Sequence, residues 1–149
     1  MMQDGAYFYN PPAMTYREHA PAPRLAEIVD RIWTLEATAS EFGDADQPVL
    51  PDGRLELILH FGDRFKRVEA DGSSELQAAS IVAGQLSGPL VLRPTGHVSV
   101  LGVRLRPYGA AALLRARQTD FIGHTLDVEL ASAALARTLR PAARSPLTA

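Results

Sequence analysis

Three polar sets in this sequence carry side chains able to do chemistry. The first is Arg54, Glu56 and His60, within Arg54-Leu55-Glu56-Leu57-Ile58-Leu59-His60-Phe61. Strand residues two apart share a face at roughly 7 Å, so Arg54 and Glu56 can pair with each other or hold a polar ligand between them. Glu56 and His60 stand about 13 Å apart along a straight strand, too far to share a metal ion. The second set is Arg104 and Arg106. Two guanidiniums on one strand face suit a carboxylate or a phosphate, and they equally suit structural pairs with Glu56, Asp52 or Asp63. The third is Gln85, between Gly84 and Leu86, whose amide can donate and accept in a cavity or cap a turn. Read as chemistry, Arg54, Glu56, His60, Gln85, Arg104 and Arg106 line a ligand cavity. Read plainly, they are a solvent-facing strand surface, ion pairs and a turn.

Other chemistries are not expected. The histidines are His19, His60, His97 and His124, and none has the alternate-residue spacing by which one strand chelates a metal. Asp52-Gly53 is a turn. In Gly84-Gln85-Leu86-Ser87-Gly88 the serine comes one place late for a nucleophile elbow, and no glycine-rich phosphate loop is present. The sequence therefore predicts no catalytic residue, no metal and no cofactor. It has no cysteine and a formal net charge of −2, so nothing draws the whole chain to nucleic acid or anionic lipid. Arg115, Arg117, Arg137, Arg140 and Arg144 make the last third basic. They read as solvated helix faces without a base-reading helix. With no leader-like N-terminus and no long apolar run, the expectation is a soluble, cytoplasmic protein.

Strands must position these groups. Leu55, Leu57, Leu59 and Phe61 alternate with Arg54, Glu56, Ile58 and His60, the cleanest strand pattern in the chain. Val98 to Arg106 alternates in the same way, with Val98, Val100, Gly102, Arg104 and Arg106 on one face. Arg31 to Glu36 and Leu90 to Leu92 read as strands, and Phe65–Ala70 and Glu75–Ala83 flank the hairpin signal Asp71-Gly72. Residues 38–51 read as a loop. Helices are expected near 23–30, after Pro107 through Ala110–Leu114, and from Asp127 to Arg140. Val128, Ala131, Leu135 and Leu139 form the apolar stripe of that last helix, and Val128, Leu135 and Leu139 are the candidate dimerisation residues. Trp33 and Phe61 read as core. About seven strands followed by helices predict an α+β domain built on an antiparallel sheet or small barrel. It comprises a flexible arm over 1–14, the β domain over 15–115 and a helical segment and tail over 116–149.

Four pieces carry a resemblance. They are Tyr16-Arg17-Glu18 with Pro21, Pro23, Leu25 and Trp33-Thr34-Leu35; Leu50 through Asp63; Val82-Ala83-Gly84-Gln85-Leu86; and Pro94-Thr95-Gly96 leading to Gly102 through Ala110. In this order the chain resembles the N-terminal sensing domain of AraC/XylS-family bacterial transcription regulators. The resemblance implies a cupin-like β-rich barrel or sandwich that binds a small-molecule effector. It also implies C-terminal helices that couple the domain to a homodimer partner, a full-length regulator or a DNA-reading domain. The 42 residues after Pro107 are too few for that family's paired helix-turn-helix units. The chain is therefore expected not to bind DNA itself. A small cupin-like enzyme acting on a polar metabolite, and an interaction protein forming heterodimers with full-length regulators, are the alternatives.

Overall fold

The structure is a computed structural model that describes residues 14–42, 45–49, 53–133 and 135–137. Its strands are β1 (Thr15–His19), β2 (Val29–Ala37), β3 (Gln47–Val49), β4 (Leu55–His60), β5 (Lys66–Val68), β6 (Ser74–Leu76), β7 (Ser80–Ala83), β8 (Leu90–Arg93), β9 (Val98–Leu105) and β10 (Thr125–Asp127). Short helices among the described residues include α1 (Ala39–Phe42), α2 (Gly109–Leu114) and α3 (Val128–Ala131). Two antiparallel sheets result, one ordered β1-β2-β9-β4-β7-β10 and the other β3-β8-β5-β6. The architecture is α+β, the class read from the sequence.

The six-stranded sheet is covered on both faces. Its inner face meets the four-stranded sheet. There Trp33, Leu35, Val98 and Val100 pack with Val49, Phe65 and Leu92. Its outer face is covered by the C-terminal elements, where Leu55, Leu57, Val82 and Leu105 pack with Ala110, Leu114, Phe121 and Val128. A β-strand sends alternate side chains to opposite faces, so alternation in β4 and β9 feeds both cores at once.

Several elements differ from the sequence reading, each for a tertiary reason. The helix expected near 23–30 is a single 3-10 turn over Pro23–Leu25. Val29 is already paired with Leu105 in the sheet, and the Ile28 carbonyl accepts from the Arg106 amide. The expected loop 38–51 contains α1 and β3. The hairpin at Asp71-Gly72 forms, with Gly72 at φ +86°, where glycine carries no steric penalty. Its second arm does not run unbroken to Ala83. It stops at Leu76, and Ser80 restarts it as β7 in the other sheet. Hydrophobic alternation alone does not say that a strand changes sheets. The long helix expected over 127–140 is interrupted. Asp127 caps α3 by accepting from the Glu129 amide, but Ser132 is extended at φ −161° and ψ 105°. Residues 138–140 lie outside the described residues, as does most of the expected N-terminal arm. Among the described residues, no helix is long and apolar enough to cross a membrane.

Candidate functional site

The inner face of the six-stranded sheet is not fully packed. Between the two sheets lies a cavity of about 680 Å³, a volume that includes the open solvent at its mouth. Trp33, Leu35, Ile58, Phe65, Leu92 and Val100 supply apolar walls, and Arg54, Glu56, His60, Gln77 and Thr125 supply polar groups. The polar face of β4 thus points into the interior. Glu56 is 7% exposed and His60 4%, so the solvent-facing reading of this face is replaced by a buried one.

Glu56 is held by two donors from two strands. Arg104 on β9 lies directly opposite it in register and donates from Nε at 2.9 Å. Trp33 on β2 donates from indole Nε1 to the same Oε1 at 3.1 Å. The indole reaches β4 by lying across β9 at Gly102, the residue paired with Trp33. A Cβ at that position would come within 2.0 Å of the ring. Glycine at 102 is what lets one tryptophan bridge two strand spacings. From the other side, Tyr16 stacks on Trp33 with ring centroids 5.9 Å apart and donates to Glu18 at 2.9 Å. Burial, together with the Glu18 carboxylate, raises the Tyr16 phenol above its ordinary range.

His60 differs from Glu56. It sits edge-on to Phe65 at 5.6 Å, and neither ring nitrogen has a hydrogen-bond partner among the described residues. Burial pushes its pKa down to about 4. The nearby Gln77 amide offsets part of that shift without meeting hydrogen-bond geometry to either ring nitrogen, and the Arg64 charge adds to it. At neutral pH the ring is an uncharged imidazole with one donor and one acceptor nitrogen.

The structure gathers some of the expected residues and separates others. Arg54, Glu56 and His60 line one cavity. Arg104 stands behind Glu56 as its ion-pair partner. Arg106 does not join it, because β9 ends at Leu105. Arg106 instead donates to the Ala26 carbonyl at 2.7 Å and faces Asp30 at 3.8 Å, and Arg54 approaches the same carboxylate at 3.9 Å. The twin-guanidinium anion site expected on that face is therefore not formed. Gln85 is absent from the cavity wall. Its backbone carbonyl accepts from the Gly123 amide at 2.8 Å, in the crossing that Gly84 permits, where a Cβ would overlap the Phe121 carbonyl. Asp52 lies outside the described residues. Val128 is buried in the domain's own outer core at 1% exposure and Leu135 packs partly against that core, which leaves Val128 no surface for a second chain. Leu139 lies outside the described residues. His97 is exposed near Glu36, away from the buried His60. Among the described residues no three metal-ligating side chains cluster.

Sequence reasoning misses Gln77, Thr125 and the structurally central Trp33–Glu56 contact. Gln77 is detectable only as a polar residue where the strand pattern of 75–83 breaks.

A family pattern described as a domain of unknown function, DUF6597, matches residues 17–127. The chain belongs to the DUF6597 family. That span runs from β1 to β10 and so includes both sheets and the cavity. No curated protein matches the chain in sequence. Among solved structures, this DUF6597 domain has a partial likeness to a putative ethanolamine utilization protein Q from Salmonella typhimurium LT2. Identity is 11% and the TM-score 0.44, over 64% of this chain and 71% of that one. An RmlC-like cupin protein from Desulfovibrio desulfuricans is similar at 15% identity and a TM-score of 0.41, over 65% of this chain and 86% of that one.

Proposed function

We propose that this DUF6597 domain is the effector-sensing module of an AraC-type transcription regulator. In this reading it binds a small molecule between its sheets and passes that event to a DNA-reading domain or partner chain. The observation that carries the reading is the cavity itself: an interior space walled mainly by apolar side chains, with a buried histidine whose ring nitrogens have no partner among the described residues. A folded domain ordinarily satisfies buried polar atoms. One left open beside a void fits a ligand that completes it.

The route outward also favours sensing. Thr125 lines the cavity on β10, an edge strand paired to β7. Three residues later Val128 is locked into the outer core with Leu57 and Phe121. A ligand that contacts Thr125 differently in two packings of this segment would shift their populations, which is all a sensor requires. The output partner, whether a second copy or a full-length regulator, would meet the C-terminal segment.

The test is a thermal-shift screen of a metabolite panel, since any ligand of the native state stabilises it. Each hit is then repeated on Ala83→Phe, which fills the cavity from β7. A hit lost in that variant is next offered to a fusion of this domain with a helix-turn-helix domain driving a reporter. Ligand-dependent reporter output is the expected result. A cavity-bound compound that leaves the reporter unchanged overturns the regulatory role.

A further inference from the structure

The cavity's polar groups differ in how much hydrogen-bonding capacity they retain, and the difference describes the molecule that fits. Among the described residues, the Glu56 carboxylate carries the one negative charge on the wall, and it is neutralised in place by Arg104 at 2.9 Å with Trp33 as a second donor to the same oxygen. The one positive charge among them, Arg54, belongs to a half-exposed side chain leaning toward Asp30. Among the described residues, the lining beside His60 holds no unbalanced charged side chain, and the Arg64 charge reaches the ring from outside that lining. A carboxylate, phosphate or ammonium placed there would give up its hydration without a counter-ion. The same wall is otherwise mainly apolar, with Trp33, Leu35, Phe65, Leu92 and Val100 beside the uncharged Gln77 and Thr125, which favours an apolar body.

His60 is the exception. At 4% exposure, with both nitrogens unpartnered among the described residues, it offers a donor and an acceptor to whatever lies beside Phe65 and Gln77. An unsatisfied buried polar group carries an uncompensated desolvation cost, so a molecule that satisfies it gains what an apolar one of the same shape does not.

Resting on the sensing reading above, we propose that the cavity selects a small, uncharged, mainly apolar molecule with one hydrogen-bonding group of the phenol, alcohol or carboxamide class, and that His60 is the residue that reads that group. This differs from the anionic ligand that Arg104 and Arg106 would suit as one of the two readings of the sequence.

The experiment uses the full chain at pH 7.5 and four probes of one shape: benzamide, phenol, toluene and benzoate. Binding is measured by titration calorimetry and ligand-observed NMR on the wild type, His60→Leu, His60→Gln and Ala83→Phe, with circular dichroism confirming each fold. Benzamide and phenol are expected to bind about tenfold more tightly than toluene, the ratio of one net hydrogen bond, and benzoate more weakly than any of the three. His60→Leu should bring benzamide and phenol down to toluene's affinity, and His60→Gln should restore most of the difference. Should His60→Leu fail to fold, the His60→Gln variant and the benzamide-to-benzoate ratio carry the test alone. Benzoate binding as tightly as benzamide, with all binding lost in Ala83→Phe, overturns the uncharged class and leaves the sensing cavity standing. No probe binding the wild type, or binding unaffected by Ala83→Phe, overturns both.

Discussion

Strand β4 presents two faces made by adjacent residues of one short segment, and the two are built on opposite principles. The outer face, Leu55 and Leu57, is closed by Leu114, Phe121 and Val128, with no polar side chain to satisfy. The inner face, Glu56, Ile58 and His60, borders the cavity and carries one charged pair and a ring without a hydrogen-bond partner among the described residues. The outer face gains stability from dispersion and water exclusion. The inner face gives up part of that gain to keep hydrogen-bonding capacity in a low-dielectric site. A domain built for stability alone would pack both sides alike.

The sharpest way to break the contrast is to cut the inner face at Glu56. Glu56→Ala leaves the buried Arg104 guanidinium without its carboxylate and is expected to destabilise the domain by about 3–5 kcal/mol. Leu57→Ala, one residue away on the outer face, should cost about 2–5 kcal/mol by a different route, a cavity in packed hydrocarbon. Magnitude alone does not separate the two; rescue does. Replacing Arg104 by methionine in the Glu56→Ala background should recover much of the loss, since removing both charges is far cheaper than removing one. The same Arg104→Met change should not improve Leu57→Ala. Urea denaturation of the singles and doubles reads this directly, and an unrescued Glu56→Ala would place the pair's contribution in packing instead of charge.

Acid titration sharpens the inner face further. The His60 imidazole titrates near 4 in the folded chain, below the 6.5 of an unhindered histidine, because burial disfavours its charged form and Arg64 repels it while Gln77 only partly compensates. As pH falls below 6.5, the unfolded chain takes up a proton that the folded chain refuses. The stability associated with neutral His60 is therefore full above pH 6.5 and drains away between 6.5 and 4, amounting to about 3 kcal/mol at most. Other groups titrate below this window, so the measurement is a difference: the stability of wild type minus that of His60→Leu, from pH 7.5 down to 4. That difference should fall steadily toward acid. A flat difference would mean that the ring is solvated in the folded protein.

How far these features are legible in the sequence depends on how local each one is. The alternation of Arg54 through Phe61 identifies β4 and separates Leu55 and Leu57 from Glu56 and His60, because strand periodicity is local. Whether the polar face meets water or a second sheet is not local, since it depends on β5 and β8 folding over it. Glu56 and Arg104 are a structural pair among several options in the sequence, and register makes them direct neighbours. The sequence misplaces Arg106 because a strand's end is set by the segment after it, here the turn that delivers Gly109 against the Ile28 carbonyl. Gln77 enters the site only because the segment after Leu76 changes sheets. Val128 reads as part of an outward stripe because helical periodicity marks an apolar face without saying which body covers it.

The finest test concerns the residue that makes the inner face possible. Gly102 shows nothing in the sequence beyond an absent side chain within a strand, a placement that ordinarily weakens it. In the structure that absence makes room: the Trp33 indole lies where a Cβ would be and so reaches Glu56 across β9. Gly102→Ala must push the ring away, and overpacking of this kind costs about 2 kcal/mol, less than loss of the ion pair because Arg104 still holds Glu56. The variant carries its own reporter, since Trp33 is the chain's single tryptophan. Displacement should move its emission maximum, whereas a change on the outer face such as Leu57→Ala should destabilise the domain and leave the native emission in place. Loss of stability in Gly102→Ala without an emission shift would mean that the sheet, and not the indole, absorbs the added methyl group. The bridge from β2 to β4 would then survive without its glycine.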